Sequence, residues 1–570
     1  MYSADSSASS TQNVPSIYID QYLDGVHDIL ADLDRLKDAE DARQTSMEHP
    51  YWIRKIFSDH PECWSPDGNV VLTKQQEKTA WCIANCKTRG MNGFSAVKCT
   101  RCGYSALHYK SCGNRNCPSC QLPMQMEWVA DRTLEVIPGQ PYYHFILTCD
   151  HRLNPLFRCN QKLLVSLFFS SCSSAIIELS KDPHYLGAVP GIISVLHSWQ
   201  QNLLPHWHLH CIVSGCGLTD DKQFVSLIDV NKARHQKHMK ESEHAENDTD
   251  VTDCIDEEED NPVEDSHDPF AGNDYFLPVS ALMNLFRNKF MDGIRKYWEK
   301  GQLVIPAEHP EWQELSAWSE FCRSIADAKW VGKLVKAFHG QGKTNAIDYL
   351  ARYVFRTAIS NNRIVAYDGK NVTFTVRDND HPGKKKQCAL SAEEFIHRFL
   401  LHIPEKNVSR VRYSGFLCNA QRAKNLHLIA VQLNNATMLK NWPGSQENTC
   451  QQNKSVLPET CLVDHDIQPK HTTATAEELM MKYFSRDICQ CPVCKGALIV
   501  WPPRRNVGIH TSHWSPEYSK EKEKSGGNWD YPRKKQPQYA RHKCGLLPNA
   551  MVGHLRVYFY DYVQLVYCDV

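Results

Sequence analysis

Three histidines recur at every second position in the stretch PHWHLHCIV, residues 205–213. Successive side chains of a strand point to opposite faces, so His206, His208 and His210 would share one face. The apolar residues between them would share the other face and pack into a core. Buried imidazoles need partners for their ring nitrogens, and a divalent metal ion provides one. The alternative is a half-exposed strand whose histidines only form hydrogen bonds, but the period-two pattern favours a metal site.

Two tyrosines lie one helical turn apart in NAIDYLARYVFRTAIS, residues 345–360. Tyr349 and Tyr353 would lie on one face of a helix, with Arg352 and Arg356 in the neighbouring row. A phenol can act as a nucleophile on a phosphate that a metal ion and nearby cations polarise. By itself the pattern equally fits an aromatic core stripe with two arginines reaching to solvent. Combined with the histidine strand it becomes specific.

Seven of the 24 cysteines fall between Cys82 and Cys120. The segment CTRCGYSALHYKSCGNRNCPSC holds two CxxC pairs and one further cysteine: Cys99 with Cys102, Cys117 with Cys120, and Cys112. Two such pairs supply four thiolates, which are enough to close a tetrahedral structural zinc site. The fifth cysteine leaves the ligand set open, with His108, Cys82 and Cys86 as further candidates and a second site as an alternative. Arg115 and the asparagines of CGNRNC suit phosphate contacts, so this segment is expected to bind DNA.

A weaker cysteine motif, CQCPVC, contains Cys489, Cys491 and Cys494. Its metal-binding partners would have to be distant, and His542 and Cys544 are the candidates. The region 426–570 is therefore interpreted as a C-terminal region with a possible second zinc module.

The charge of the 570-residue chain is strongly segregated. The formal net charge is -1, but residues 241–260 contain eleven carboxylates and almost no bulky apolar side chains. Such a run cannot bury enough surface to offset its ordering entropy, so we expect a disordered acidic insertion at about 231–273. The rest of the chain is mildly basic, which suits an acidic ligand.

The start of the chain, MYSADSSASSTQNV, is polar and has no apolar signal region. No stretch is expected to reach the apolar length of a transmembrane helix. The sequence therefore predicts a cytoplasmic protein without a membrane partner, in which clustered cysteines are reduced and bind zinc rather than form disulfides.

Hydrophobic periodicity predicts helices at 17–43, 162–180, 277–301, 345–360 and 391–403, and strands at 141–149, 191–200 and 205–213. The last two strands are close enough for an antiparallel hairpin, and Gly215 and Gly217 are expected to end it. A further hairpin is predicted at 362–378, with its turn at Asp368-Gly369. Helices and strands mix without regular βαβ alternation, which indicates an α+β fold around an antiparallel sheet.

The sequence resembles a known family, the two-tyrosine HUH transposases of rolling-circle insertion sequences of the insertion-sequence-91 type. HUH denotes histidine, a hydrophobic residue and histidine, here His208-Leu209-His210. Four blocks match in order: SCGNRNCPSCQ, LHSWQQNLLPHWHLHCIVSG, YLARYVFRTAISNNRI and EFIHRFLLHIPEKNVSRVRYSGFL. The resemblance covers roughly 80–425.

The resemblance implies a zinc-binding, DNA-binding domain at 81–136, after a tail and helical region at 1–80. An HUH nuclease domain with a ferredoxin-like antiparallel sheet would follow at 137–425. It also implies that His208 and His210 hold a catalytic Mg²⁺ or Mn²⁺ ion and that Tyr349 and Tyr353 are the nucleophiles. The third metal ligand stays open among five residues: His206, His144, Asp150, His197 and Asp348.

The function implied is transposition by nicking and rejoining single-stranded DNA, at the ends of a mobile element and at its target. The attacking tyrosine would form a 5′-phosphotyrosine, which conserves the energy of the phosphodiester and needs no nucleotide cofactor. A plasmid rolling-circle replication initiator uses the same chemistry and is the nearest alternative. A zinc-dependent DNA-binding protein without catalysis is the alternative from another class.

Overall fold

A computed structural model describes most of the chain between residues 33 and 501. The described residues are 33–45, 51–66, 68, 70–91, 93–246, 276–328, 330–338, 347, 349, 353–354, 356–378, 381, 383–443 and 490–501. Arg352, Asp348, Cys489, His542 and Cys544 lie outside them, as do residues 17–32 of the first predicted helix.

The helices are α1 (Leu33–Thr45), α2 (Trp52–Asp59), α3 (Lys74–Asn85), α4 (Gln121–Thr133), α5 (Asn154–Cys159), α6 (Gln161–Lys181), α7 (Leu227–Glu246), α8 (Val279–Glu299), α9 (Leu315–Asp327), α10 (Ala392–Leu401), α11 (Arg422–Gln432) and α12 (Ala436–Asn441). The strands are β1 (Phe94–Cys99), β2 (Ser105–Tyr109), β3 (Tyr142–Thr148), β4 (Val189–Trp199), β5 (Pro205–Leu218), β6 (Phe224–Ser226), β7 (Gly332–Phe338), β8 (Ile364–Tyr367), β9 (Asn371–Arg377), β10 (Lys385–Ser391), β11 (Val411–Gly415) and β12 (Leu498–Trp501).

The central sheet has the strand order β11-β4-β5-β3-β7, with β6 added to β5, and neighbouring strands are antiparallel. The first four long strands of this sheet along the chain are β3, β4, β5 and β7. Across the sheet these four lie in the order β7, β3, β5, β4, which is fourth, first, third and second along the chain. Helix α6 connects β3 to β4, and α8 and α9 lie between β5 and β7, which gives a βαββαβ arrangement of the ferredoxin-like type. The expected α+β fold around an antiparallel sheet is confirmed.

The two faces of β5 have different surroundings. Trp207, Leu209 and Cys211 are buried in the core that helices α6 and α8 share with the sheet. The histidines between them point to the opposite face, as the period of two requires. The predicted hairpin is formed, since β4 pairs antiparallel with β5 and His197 lies opposite His208.

Strand β5 continues through both glycines that were expected to end it, so that expectation was wrong. A Cβ atom on Gly215 would lie 2.6 Å from the side chain of Pro141, and one on Gly217 would lie 2.6 Å from the carbonyl oxygen of Val189. These positions need glycine because the ring of Pro141 at Gly215, and the backbone of Val189 at Gly217, come too close for a side chain.

Helix α6 is long and apolar enough to cross a membrane by length and composition, contrary to the expectation that no stretch would be. Half of its apolar window is buried inside the protein. Leu164, Phe168 and Phe169 pack into the main core, and the core helix of a globular domain passes the same test of length and composition.

Helix α7 corrects the expected extent of the acidic insertion. Disorder was predicted from about 231, yet the backbone is helical to Glu246. The stretch NKARHQKHMKESEHAE is rich in residues of high helix propensity, which accounts for the helix. Residues 247–273 of the predicted insertion lie outside the described part of the chain.

Two smaller sheets flank the central one. In the first, β1 pairs with both β2 and β12. The second, β10-β9-β8, contains the predicted hairpin, and Gly369 at its turn has a positive φ of 90°. Ser391 caps the predicted helix α10 by accepting a hydrogen bond from the backbone N–H of Glu394.

Candidate active site and cysteine clusters

Three histidines converge on the face of the central sheet that lies opposite the core formed with α6 and α8. One ring nitrogen from each of His197, His208 and His210 lies within 4.8 Å of the others. His208 and His210 are two residues apart on β5, while His197 lies on β4 directly opposite His208. Strand pairing therefore brings together the predicted pair and one of the five candidates for a third ligand.

The other candidates have different partners. His206 offers its backbone carbonyl to His208, and Asp150 forms a salt bridge with Arg152 at 2.8 Å. His144 on β3 lies behind His210 as a hydrogen-bond partner. Asp348 is outside the described residues. Among the candidates that the structure describes, His197 joins the pair.

Each clustered ring uses one nitrogen for a hydrogen bond. The distance from Nδ1 of His210 to Nε2 of His144 is 3.0 Å, and that from Nδ1 of His208 to the His206 carbonyl oxygen is 3.1 Å. Nε2 of His197 lies 2.7 Å from the carbonyl oxygen of Tyr353. Such bonds orient an imidazole and select its tautomer, which leaves the second nitrogen as the donor to a metal ion.

Burial keeps these rings neutral. Desolvation lowers the pKa of His208 to about 4 and those of His197 and His210 well below the ordinary value. The charge of Arg356 lowers all three pKa values further. Neighbouring histidines act in the same direction, for example His206 on His208 and His144 on His210. At neutral pH the cluster therefore presents unprotonated imidazoles, which is the form that binds a metal ion.

The two predicted tyrosines lie directly over this cluster. The ring of Tyr353 is 4.2 Å from that of His210, and the hydroxyl groups of Tyr349 and Tyr353 are 3.0 Å apart. The backbone at both positions is helical, and buried Ile347 and Val354 fasten this segment to the sheet. Because both tyrosine side chains are only partly buried, their hydroxyl groups can meet a substrate.

The arginines predicted to contact DNA have varied surroundings. Arg356 is exposed beside the histidine cluster. Arg115 is also exposed, and its guanidinium donates a hydrogen bond of 3.0 Å to the carbonyl of Val408. DNA contact by either residue stays a prediction, and Arg352 lies outside the described residues.

The cysteines form two separate clusters of four thiols. The first, the N-terminal thiol cluster, consists of Cys86, Cys112, Cys117 and Cys120, and the second, the split thiol cluster, consists of Cys99, Cys102, Cys491 and Cys494. The sulfur atoms within each cluster lie within 4.8 Å of one another.

The two CxxC pairs thus lie in separate clusters, as in the alternative of a second site that the fifth cysteine had left open. The first pair lies at the turn between β1 and β2, whereas the second precedes α4 and faces the end of α3, where Cys86 is located. Cys86, rather than a cysteine of the β1–β2 hairpin, completes the N-terminal thiol cluster. His108 and Cys82, the other candidates, belong to neither cluster.

Comparison with known proteins identifies two matching families. Residues 56–149 match a family described as "Transposase zinc-binding domain". Residues 191–261 and 262–425 match a family described as "Putative transposase". The first contains the N-terminal thiol cluster, and the second contains His197, His208, His210 and both tyrosines.

Two relatives align with most of their own length. "Putative transposase y4qJ" of Sinorhizobium fredii is 30% identical over 375 residues, which cover 66% of this chain and 82% of the relative. "Transposase for insertion sequence element IS801" of Pseudomonas savastanoi pv. phaseolicola is 25% identical over 381 residues, which cover 65% of this chain and 77% of the relative. No solved structure matches the chain.

Proposed function

The chain belongs to the IS91-type family of transposases, and on this basis we propose that it nicks and rejoins single-stranded DNA through a covalent tyrosine intermediate. The observation that carries the proposal is the contact between the tyrosine pair and the three-histidine cluster. The two tyrosine hydroxyl groups lie 3.0 Å apart, beside three unprotonated imidazoles. Phosphoryl transfer requires a nucleophile of this kind and donors that hold a metal ion.

The hydroxyl group of Tyr353 donates a hydrogen bond to the hydroxyl oxygen of Tyr349. That oxygen would attack the scissile phosphorus and form a P–O bond to tyrosine. The bond from phosphorus to the 3′ oxygen breaks, the tyrosine proton is lost, and the departing 3′ oxygen takes up a proton to become a hydroxyl group. The reverse attack by a 3′ hydroxyl group rejoins the strand and frees the tyrosine.

The donor set fits a divalent cation. Mg²⁺ or Mn²⁺ held by His197, His208 and His210 would act as a Lewis acid on the scissile phosphate. Three imidazole nitrogens suit Mn²⁺ better than Mg²⁺, because Mg²⁺ prefers oxygen ligands. His144 would hold the ring of His210 in place by the bond between their nitrogens.

Two nucleophiles one helical turn apart suit strand transfer. While one tyrosine holds a 5′ phosphate, the other remains able to attack a second strand. Arg356 and the basic surface would bind the phosphates of DNA at the ends of the mobile element and at its target. The reaction would take place in the cytoplasm, where the DNA and the reduced thiols are.

The N-terminal thiol cluster fits a structural zinc ion, as expected for the zinc-binding domain that it lies in. Its four cysteines supply a complete tetrahedral set, so no coordination position is left for a substrate. We assign zinc there to Cys86, Cys112, Cys117 and Cys120.

The alternatives account for less. A plasmid replication initiator would share the histidines and tyrosines, but both matching families are transposase families. A DNA-binding protein without catalysis would have no use for paired hydroxyl groups beside three neutral imidazoles.

The proposal is tested by trapping the covalent intermediate. Oligonucleotides that tile the ends of the encoding element would carry a label on either the 3′ or the 5′ end and would be incubated with the protein and Mn²⁺. Only the 3′-labelled strands should become attached to protein, because the tyrosine retains the 5′ phosphate. The Tyr349→Phe/Tyr353→Phe variant should form no adduct.

Tyr367→Phe is the matched control, because it removes a tyrosine hydroxyl group on the flanking hairpin, where that group contacts Asp59. It should form the adduct normally. An adduct in the double variant would refute the assignment of the nucleophiles, and transfer of the 5′ label would refute the polarity.

A further inference from the structure

The C-terminal segment 490–501 returns to the N-terminal zinc-binding domain. Sγ of Cys494 lies 3.5 Å from that of Cys99, and Sγ of Cys491 lies 3.7 Å from that of Cys102. These partners are 395 and 389 residues apart in the chain. Neither Cys491 nor Cys494 lies within the residues that match the transposase families.

The two halves of the split thiol cluster have the same backbone geometry. The backbone N–H of Cys99 donates to the carbonyl of Tyr104, and that of Cys491 donates to the carbonyl of Gly496, both at 2.7 Å. In each half the residue four positions after the first cysteine donates back to the carbonyl of that cysteine. These residues, Gly103 and Lys495, both have positive φ, of 73° and 59°. The same tight turn is therefore built twice.

Backbone N–H groups also point at the sulfur atoms. The N–H of Arg101 donates to Sγ of Cys99 at 3.4 Å, and the N–H of Gly496 donates to Sγ of Cys494 at 3.4 Å. A hydrogen bond to sulfur stabilises the thiolate, which is the form that binds a metal ion. Both halves therefore present their cysteines as metal ligands.

Strand pairing aligns the two halves. Strand β12 pairs antiparallel with β1, with Cys99 opposite Leu498 and Ala96 opposite Trp501. The N–H of Thr100 also donates to the carbonyl of Ala497 at 3.2 Å. The turn after β1 and the turn before β12 consequently face each other at the same end of the three-stranded sheet.

We propose that Cys99, Cys102, Cys491 and Cys494 bind one zinc ion, which fastens the C-terminal segment to the N-terminal domain. Four sulfur atoms around zinc at about 2.3 Å would be separated by about 3.8 Å, close to the two measured distances. No described cysteine is in a disulfide, so all four thiols are available. Without the C-terminal segment, Cys99 and Cys102 would supply only half of a tetrahedral set.

The zinc ion would link two segments that lie before and after the transposase domain in the sequence. A crosslink that closes so long a loop removes many conformations from the unfolded chain. Loss of the C-terminal segment would thus remove one zinc ion from the N-terminal domain while leaving the N-terminal thiol cluster intact.

The test is a zinc count on the full chain with paired variants. All proteins would carry His208→Ala/His210→Ala, so that the histidine cluster contributes no metal, and zinc would be measured by mass spectrometry after dialysis. We expect two zinc ions per chain. Cys99→Ser/Cys102→Ser, Cys491→Ser/Cys494→Ser and the combined four-fold variant should each lose the same single ion.

Cys117→Ser/Cys120→Ser should lose the other ion, and combination with Cys491→Ser/Cys494→Ser should leave none. The exposed Cys418→Ser variant is the control and should keep both ions. Retention of both ions by Cys491→Ser/Cys494→Ser would overturn the proposal. Loss of both ions from the four-fold variant, when each double variant loses only one, would overturn it as well.

Cys491→His covers the case in which the serine variants do not fold, because histidine remains a zinc ligand. The protein would be loaded with Co²⁺, whose absorption spectrum reports the number of sulfur ligands. We expect the spectrum of one site to change from four sulfurs to three sulfurs and one nitrogen. An unchanged spectrum would show that Cys491 is not a ligand and would overturn the proposal.

Discussion

The histidine cluster and the two thiol clusters could each hold a metal ion, but they differ in the number and in the chemistry of their donor atoms. The histidine cluster offers three neutral nitrogens on one face of the central sheet, with two tyrosines above it. Each thiol cluster offers four sulfur atoms, a complete tetrahedral set. On the proposed assignments, three donors leave coordination positions for a phosphate, whereas four sulfur donors leave none.

The largest effect is expected from removing a nitrogen donor. His208→Ala should reduce DNA nicking by at least about a thousandfold, because it removes a ligand of the proposed catalytic ion. Initial rates with labelled single-stranded DNA and Mn²⁺ measure this.

His206→Ala is the matched control, since His206 lies on the same strand face but outside the cluster. It contributes its carbonyl to His208, and alanine keeps that group. The rate should fall less than about tenfold. Equal losses of nicking rate in His208→Ala and His206→Ala would argue against His208 as a metal ligand.

Removing a sulfur donor should damage stability rather than chemistry. Cys120→Ser should lower the free energy of unfolding by about 3 kcal/mol and release one zinc ion, because zinc binding and folding are coupled. Urea unfolding with a zinc-sensitive dye measures both. The half-buried Cys388→Ser should change stability by less than about 1 kcal/mol, and unchanged stability of Cys120→Ser would argue against a structural role.

A buried histidine outside the metal cluster should show the effect of pH on folding. Nε2 of His402 donates a hydrogen bond to the carbonyl of Leu203, and Nδ1 accepts one from the hydroxyl group of Ser198. Burial lowers the pKa of His402 to about 4 from 6.5. The unfolded chain takes up a proton below pH 6.5, whereas the folded chain does so only near pH 4. Stability is therefore retained above pH 6.5 and lost as the pH falls toward 4.

His402→Gln should remove this contribution. Between pH 7 and pH 5 the wild type should lose on the order of 2 kcal/mol more unfolding free energy than the variant. Denaturant titrations at both pH values measure the difference. Parallel losses in the two proteins would mean that His402 is not neutral in the folded state.

The smallest effect is expected from removing the hydrogen-bond partner of His210. His144→Ala removes the partner of Nδ1 of His210, so the Mn²⁺ concentration for half-maximal nicking should rise about tenfold. The rate at saturating Mn²⁺ should change little, because the three donors remain. A fall in the saturated rate with no change in the Mn²⁺ requirement would assign His144 to the chemical step instead.

Local spacing was sufficient to predict most of the site. The alternation of β5 placed His208 and His210 on one face, and the i, i+4 spacing placed Tyr349 and Tyr353 together. The same rules predicted the helices and hairpins around them. They failed at Gly215 and Gly217, where the close approach of neighbouring residues, not the end of the strand, requires glycine.

The sequence by itself determined which side chains share a face and which cysteines lie in pairs, because both depend on a few consecutive backbone angles. Only the tertiary structure decided which of these groups meet. Pairing of β4 with β5 selected His197 as the third histidine, and pairing of β1 with β12 brought Cys491 and Cys494 to Cys99 and Cys102. Such contacts depend on strand order and register across hundreds of residues, and local spacing does not encode either.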